Sequence, residues 1–217
     1  MTAERWVVFE PLDTLTIRDG RAFDAGLQSV AHAVQPSPST LAGAIGAAFG
    51  APPGAGLDAA ARGSKVPEQL LGPVPVIRRD GTWRARWPVP FDVVRVDAGS
   101  APRRLTGHGP ADGNSEIPAG APHDLQGRVA TLLTGEGDPA GGWWETAELA
   151  DYLTDGDVSG DTVDAPWDTE RRVGLALNEA GTAAERMLYS TEHLRPVDGM
   201  GFAVCCIGGP GVPLADT

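Results

Sequence analysis

The chain has 217 residues, 41% of them apolar, with 29 Gly, 19 Pro and a formal net charge of −12. This supports one sizeable domain or two small ones with a true core and much loop. It argues against a free-standing nucleic-acid binder, and no run approaches the roughly 18 apolar residues a membrane span needs. Residues Met1–Arg5 lack the basic and apolar regions of a secretory signal, so a cytoplasmic protein is expected. Charge is uneven along the chain: residues 62–104 carry eight Arg and one Lys against four acids, whereas 105–170 carry one Arg and 14 acids.

Trp6–Leu15 reads as a first strand broken at Pro11, which cannot donate to a central ladder. Asp19-Gly20 marks a tight turn between Arg18 and Arg21, since both residues tolerate a positive φ. Residues 36–49 form the clearest helix: Ser37 or Ser39 caps it, Pro38 fits its first turn, and Leu41, Ile45 and Phe49 make one apolar stripe. Gly43 and Gly46 cost helix propensity, which suggests close approach to another backbone. Strands are predicted at 72–79, 83–88 and 91–96, the second alternating Trp83, Ala85 and Trp87 with Arg84 and Arg86.

Residues 97–141 show little periodicity and read as an irregular insertion. Trp143-Trp144 opens a short helix to Leu153, followed by an acidic loop to Asp164. Arg171–Asn178 reads as a buried strand, with two more at 186–195 and 201–207. Tyr189, Thr191 and His193 share one face of the former, and Leu188 and Leu194 share the other. Cys205 and Cys206 are adjacent on a strand and point apart, so two buried thiols in a reducing compartment are expected.

No catalytic pattern stands out. His32, His108, His123 and His193 have neither metal-cage nor triad spacing, and there is no phosphate loop, nucleophile elbow or dinucleotide fingerprint. No metal or cofactor is expected. Binding is better supported: Arg18 and Arg21 bracket a turn, Arg171 and Arg172 open a late strand, and Tyr189 and His193 line a strand face. Arginine forks recognise phosphates and aromatic rings stack on splayed bases, and the Ser-rich helix start is a ready anion site.

Three blocks carry a family resemblance: Glu10–Leu15 with Arg18–Phe23, then Pro36–Ile45, then Val173–Leu177 with Thr182-Ala183 and Met187–Arg195. In this order they resemble the third subunit of the type III-B CRISPR effector, the Cmr complex, of the RAMP superfamily. The resemblance implies an α+β, ferredoxin-like (RRM-type) βαββαβ domain with a long irregular acidic insertion. Residues 1–96 would supply its first strands and helix, 97–170 the insertion and 171–217 the closing strands. Members continue into a second ferredoxin-like half, which this sequence is expected to lack, and they commonly carry Arg where this helix has Gly46.

The resemblance further implies a non-catalytic, RNA-binding ribonucleoprotein subunit. It would bind the 5′ tag of the guide RNA and cap an antiviral complex beside the large polymerase-like subunit and the first backbone subunit. The expected contacts are Arg18, Arg21, Phe23, Ser37, Ser39, Thr40, Arg171, Arg172, Tyr189 and His193. The competing readings are a RAMP-type endoribonuclease with His32 or His193 as base, and a truncated protein-interaction module.

Overall fold

The computed structural model describes residues 4–18, 30–50, 67–97, 99–108 and 132–208. In chain order these form β1 (Glu4–Phe9), β2 (Val30–Ala31), α1 (Pro38–Ala48), β3 (Gln69–Arg79), β4 (Thr82–Ala85), β5 (Trp87–Pro88) and β6 (Val93–Arg95). There follow β7 (Arg103–Arg104), β8 (Thr106–His108), β9 (Leu132–Thr134), β10 (Asp138–Pro139), β11 (Trp143–Trp144), α2 (Thr146–Thr154), β12 (Trp167–Leu177), β13 (Ala183–Pro196) and β14 (Met200–Ile207). They divide into two compact units, Met1–Arg86 with Pro166–Thr217, and Trp87–Ala165.

The first unit is built on an antiparallel sheet of order β1-β14-β3-β4. β14 is flanked on both sides and buried on both faces, as its nearly unbroken apolar run Met200–Ile207 requires. α1 covers one face of the sheet. Leu41 and Ile45 pack with Ile77, Met200, Phe202, Val204 and Cys206, and Phe49 closes the stripe. Ser37 accepts a bond from the Thr40 N–H at 3.2 Å, and Pro38 occupies the first turn.

An α+β class is what these elements show. β1 stands at the sheet edge and the last strand inside it, and among the described residues no second helix lies in this unit, so a βαββαβ arrangement is not established.

Pro73 and Pro75 sit in β3, where an interior strand should exclude proline. β4 pairs only with Val76–Arg79, so the proline half of β3 has β14 on one side and no β4 on the other. Gly72 (φ +107°) marks the register shift against β14, and a Cβ there would meet the Ala203 carbonyl oxygen at 2.9 Å. The expectation of close approach at Gly43 does not hold: a Cβ there would have open space within 4 Å. Cys205 and Cys206 are buried free thiols, and burial pushes the Cys206 pKa up.

A second sheet in this unit has order β12-β13-β2, the first pair antiparallel and the second parallel. Arg171–Asn178 was expected to be a buried strand, but Val173, Leu175 and Leu177 are 66%, 47% and 64% exposed. The reason is positional, because among the described elements only β13, its lateral neighbour, packs substantially against β12, so that end of the face is not covered. The other end of the same face is core: Leu194 is buried and Trp167 lies 6.0 Å from the Phe202 ring.

The second unit has a short three-stranded sheet, β10-β6-β7, and two strand pairs, β11-β5 and β8-β9, with a small core of Val89, Val93, Trp144 and Tyr152. Trp143-Trp144, expected to open a helix, instead pair as β11 with β5, and α2 begins at Thr146. The predicted strand 83–88 breaks at Arg86, where the division between the units falls.

Several arginines of the basic stretch are engaged within this unit. Arg95 donates to the Ser100 and Gly160 carbonyls, Arg103 to that of Glu136, and Arg104 to the Asp92 carboxylate. Tyr152 also donates to Asp92, at 2.5 Å, and the Arg104 guanidinium lies 4.5 Å from its ring centroid.

Burial first, and then Asp92, push the Tyr152 phenol above its ordinary pKa. A raised folded-state pKa means the stabilisation is complete below the unfolded value, about 10. It is lost as pH rises through the folded value. In a Tyr189→Phe background, which leaves one tyrosine, phenolate absorbance should therefore appear at higher pH in folded than in urea-unfolded chain. Asp92→Asn should close the gap in part only, since burial remains. Coincident folded and unfolded titrations would remove Asp92 and burial as its controls.

Candidate nucleic-acid interface

Residues 190–194 of β13 join two segments from the N-terminal quarter of the chain. Leu15 and Leu194 exchange a pair of backbone hydrogen bonds, both 2.9 Å. Val30 and Ala31 pair in parallel with Ser190 and Thr191. The two segments are also tied to each other, since the Val34 N–H donates to the Ile17 carbonyl at 2.8 Å and Arg18 bridges to Ala33. The described segments on either side of residues 19–29 are thus both fixed to one strand. Arg21 and Phe23 lie within that stretch, outside the described residues, as does the Asp19-Gly20 turn.

Side chains reinforce the joint. His193 Nδ1 lies 2.6 Å from Thr16 Oγ1 and 3.2 Å from Thr14 Oγ1, and its Nε2 lies 3.1 Å from Thr191 Oγ1. His32 Nδ1 meets Glu192 Oε2 at 2.8 Å. Arg171 Nε donates to Ser190 Oγ at 2.7 Å. Arg18 is exposed at the end of the first anchored segment.

The period-2 geometry of a strand sends Arg171 and Arg172 to opposite faces. Arg171 shares a face with Ser190 and Glu192, and Arg172 shares the other with Tyr189, Thr191 and His193. Arg172 Nε donates to Glu170 Oε1 at 2.7 Å, and Arg195 bonds the same carboxylate through Oε2. Arg172, then Arg195, hold the Glu170 carboxyl below its ordinary pKa. A phosphate reaching either arginine there would compete with an anion already in place.

The Tyr189 ring lies across Gly174, where a Cβ would come within 2.1 Å of its Cζ. A close approach of this kind, not present at Gly43, is found at this strand glycine. Beside the same face is an open depression of about 240 Å³ lined by Glu10, Asp13, Thr14, Arg195 and Asp198, among others. Three carboxylates against one bridged arginine make it unfavourable for phosphate.

Ser37, Ser39 and Thr40 cluster at the α1 start, the Ser37 hydroxyl lying 2.8 Å from Ser39 Oγ and 2.9 Å from Thr40 Oγ1. These hydroxyls cap the helix and bond one another. Among the described residues, no group of three or more His, Cys, Asp or Glu could hold a metal ion, and no helix is long and apolar enough to cross a membrane.

The structure thus brings Arg18, Arg171 and His193 into one hydrogen-bonded joint, and sets Arg172 and Tyr189 on one face of the adjoining ribbon. It adds Thr14, Thr16, Glu170 and Glu192, which sequence reasoning missed. Thr14 and Thr16 flank Leu15 with period-2 spacing, a legible strand signal. Nothing local to the sequence points to their partner 177 to 179 residues away.

These features define a strand-rich α+β protein in which two N-terminal segments, Thr14–Arg18 and Val30–Val34, are held by a late strand. The chain belongs to the CRISPR-associated protein family Cas_Cmr3, whose sequence profile matches residues 7–210. This is the family that the three sequence blocks resemble. A chain in the cryo-EM structure of the type III-B Cmr-beta complex bound to cognate target RNA and AMPPnP is similar at 16% identity and a TM-score of 0.45. The match covers 94% of this chain and 54% of that one, so this chain spans about half its length. No curated protein matches.

Proposed function

We propose that this chain is a non-catalytic subunit of a type III-B CRISPR ribonucleoprotein. It binds the 5′ tag of the guide RNA and caps an antiviral complex in the cytoplasm. Its partners are the guide RNA, the large polymerase-like subunit and the first backbone subunit. Family membership over residues 7–210 supports the setting. The observation that carries the RNA reading is the joint at 190–194, which fixes the segments flanking residues 19–29, Arg18 among them.

Holding the two flanking segments in place before binding removes part of the entropic cost of gripping a flexible strand. Arg18 and Arg21 then act as phosphate forks, and Phe23, Tyr189 and the α1 start supply stacking and amide contacts. Sequence-independent backbone contacts suit a tag held by shape and charge. In this reading the sheet carrying α1 is the core of a ferredoxin-like half.

The test is filter binding of tag RNA to the intact chain, alone and with the large subunit. Saturable binding that weakens with salt is expected, with the large subunit retained on co-purification. Absence of both binding and co-purification would overturn the proposal.

One observation favours a second reading. Glu192 lies 2.8 Å from His32 Nδ1, as an orienting carboxylate lies behind a general base. A RAMP-type endoribonuclease would then use His32. Incubation with repeat RNA separates the two readings, since cleavage abolished by His32→Ala would establish the nuclease.

A further inference from the structure

We infer that His193 is a positioning residue which clasps the Thr14–Ile17 segment to β13 and so aims Arg18 at the RNA. This rests on the RNA-binding reading above and assigns His193 a role other than base contact or general base.

Both ring nitrogens face hydroxyls of the chain itself. Nδ1 has Thr16 at 2.6 Å and Thr14 at 3.2 Å, and Nε2 has Thr191 at 3.1 Å. A threonine hydroxyl both donates and accepts, so either neutral tautomer is satisfied at both ends. In one, Nδ1–H donates to Thr16 and the Thr191 hydroxyl donates to Nε2; in the other the roles exchange. Contact with a base edge would have to break one of these bonds.

The clasp acts where leverage on Arg18 is greatest. Thr16 precedes Arg18 by two residues, roughly 7 Å of extended chain. The Leu15–Leu194 pair fixes the height of that segment on β13, and the two threonines on either side of Leu15 fix its rotation. His32 and Glu192 tie the returning segment to the neighbouring position of the same strand. Adjacent β13 residues, Glu192 and His193, point to opposite faces, so each can hold one end of the arginine-bearing stretch.

The test compares Thr16→Val, His193→Ala, the double variant and His193→Asn for tag-RNA affinity at several salt concentrations, with amide exchange at Leu15 measured without RNA. Thr16→Val and His193→Ala should each weaken binding about five- to tenfold. The double variant should be no weaker than His193→Ala, because both remove one joint.

The salt slope should stay at the wild-type value, whereas Arg18→Ala should lower it by about 0.7. His193→Asn keeps a donor and an acceptor near the Nδ1 position and should restore most of the affinity. Leu15 exchange should rise about tenfold in His193→Ala.

Unchanged Leu15 exchange would overturn the clasp. So would His193→Ala weakening RNA while Thr16→Val binds as wild type, since that pattern marks direct contact. Raised exchange with unchanged affinity would overturn the aiming of Arg18. Wild-type chain that bound no tag RNA would overturn the RNA reading and the aiming with it, recognisable because Leu15 exchange would still respond to His193→Ala.

Discussion

Phe202→Ala is expected to destabilise the first unit by about 3–5 kcal/mol, the range for deleting a buried aromatic ring. Phe202 is 1% exposed and sits in β14 between Met200 and Val204, facing Leu41, Ile45 and Ile77 with the Trp167 ring 6.0 Å away. The loss combines transfer of the ring from water with the cavity left behind. The walls cannot close over that cavity easily, because β14 is held by ladders to β1 and β3 on both sides.

Native domains are stable by only about 5–15 kcal/mol in all, so the variant should be largely unfolded under mild denaturant. Urea unfolding followed by tryptophan fluorescence measures it, with Phe202→Leu as a milder control. A loss below about 1 kcal/mol would mean that this face of the sheet is not the core.

The core was legible because its strands and helix carry strong periodic signals. Leu41, Ile45 and Phe49 specify one face of α1, and Met200–Ile207 specifies a strand buried on both sides. The prolines of β3 were harder to read, because the rule against them depends on how far β4 reaches, a tertiary fact. β12 misled for a related reason: Val173, Leu175 and Leu177 are apolar enough for a core, yet only the neighbouring β13 packs substantially against their strand among the described elements. Apolar alternation states what a face would tolerate; neighbours decide whether it is covered.

The site was legible in its parts and not in its assembly. Arg18 and His193 stood out as residues, and the turn and the late strand resembled the same family in separate blocks. What joins them is a set of contacts across about 180 residues, Leu15 with Leu194 and Thr14 and Thr16 with His193. Short polar residues such as threonine carry no signature of a distant partner. Arg171 and Arg172 looked alike in the sequence, but alternation along β12 gives one a hydroxyl partner and the other a carboxylate. Their local charges differ accordingly.

The central claim is that Arg18 and Arg21, between two segments anchored on β13, grip RNA backbone. It is tested most directly by the tag-RNA affinity of Arg18→Ala/Arg21→Ala across a salt series. A charge-assisted hydrogen bond contributes about 1.5–3 kcal/mol, part of which solvent and neighbouring contacts recover. Two such losses should weaken binding about 10- to 100-fold at moderate salt, with 1.4 kcal/mol for each factor of ten. Each lost phosphate contact on a single strand should lower the salt slope by about 0.7, or about 1.4 for the pair.

Stability should change little, because the joint on β13 is made by the backbone of Leu15 and Leu194 and by Thr14, Thr16 and His193. The account predicts weaker binding and a shallower slope with an unchanged urea midpoint. Wild-type affinity and an unchanged slope in the double variant would contradict it.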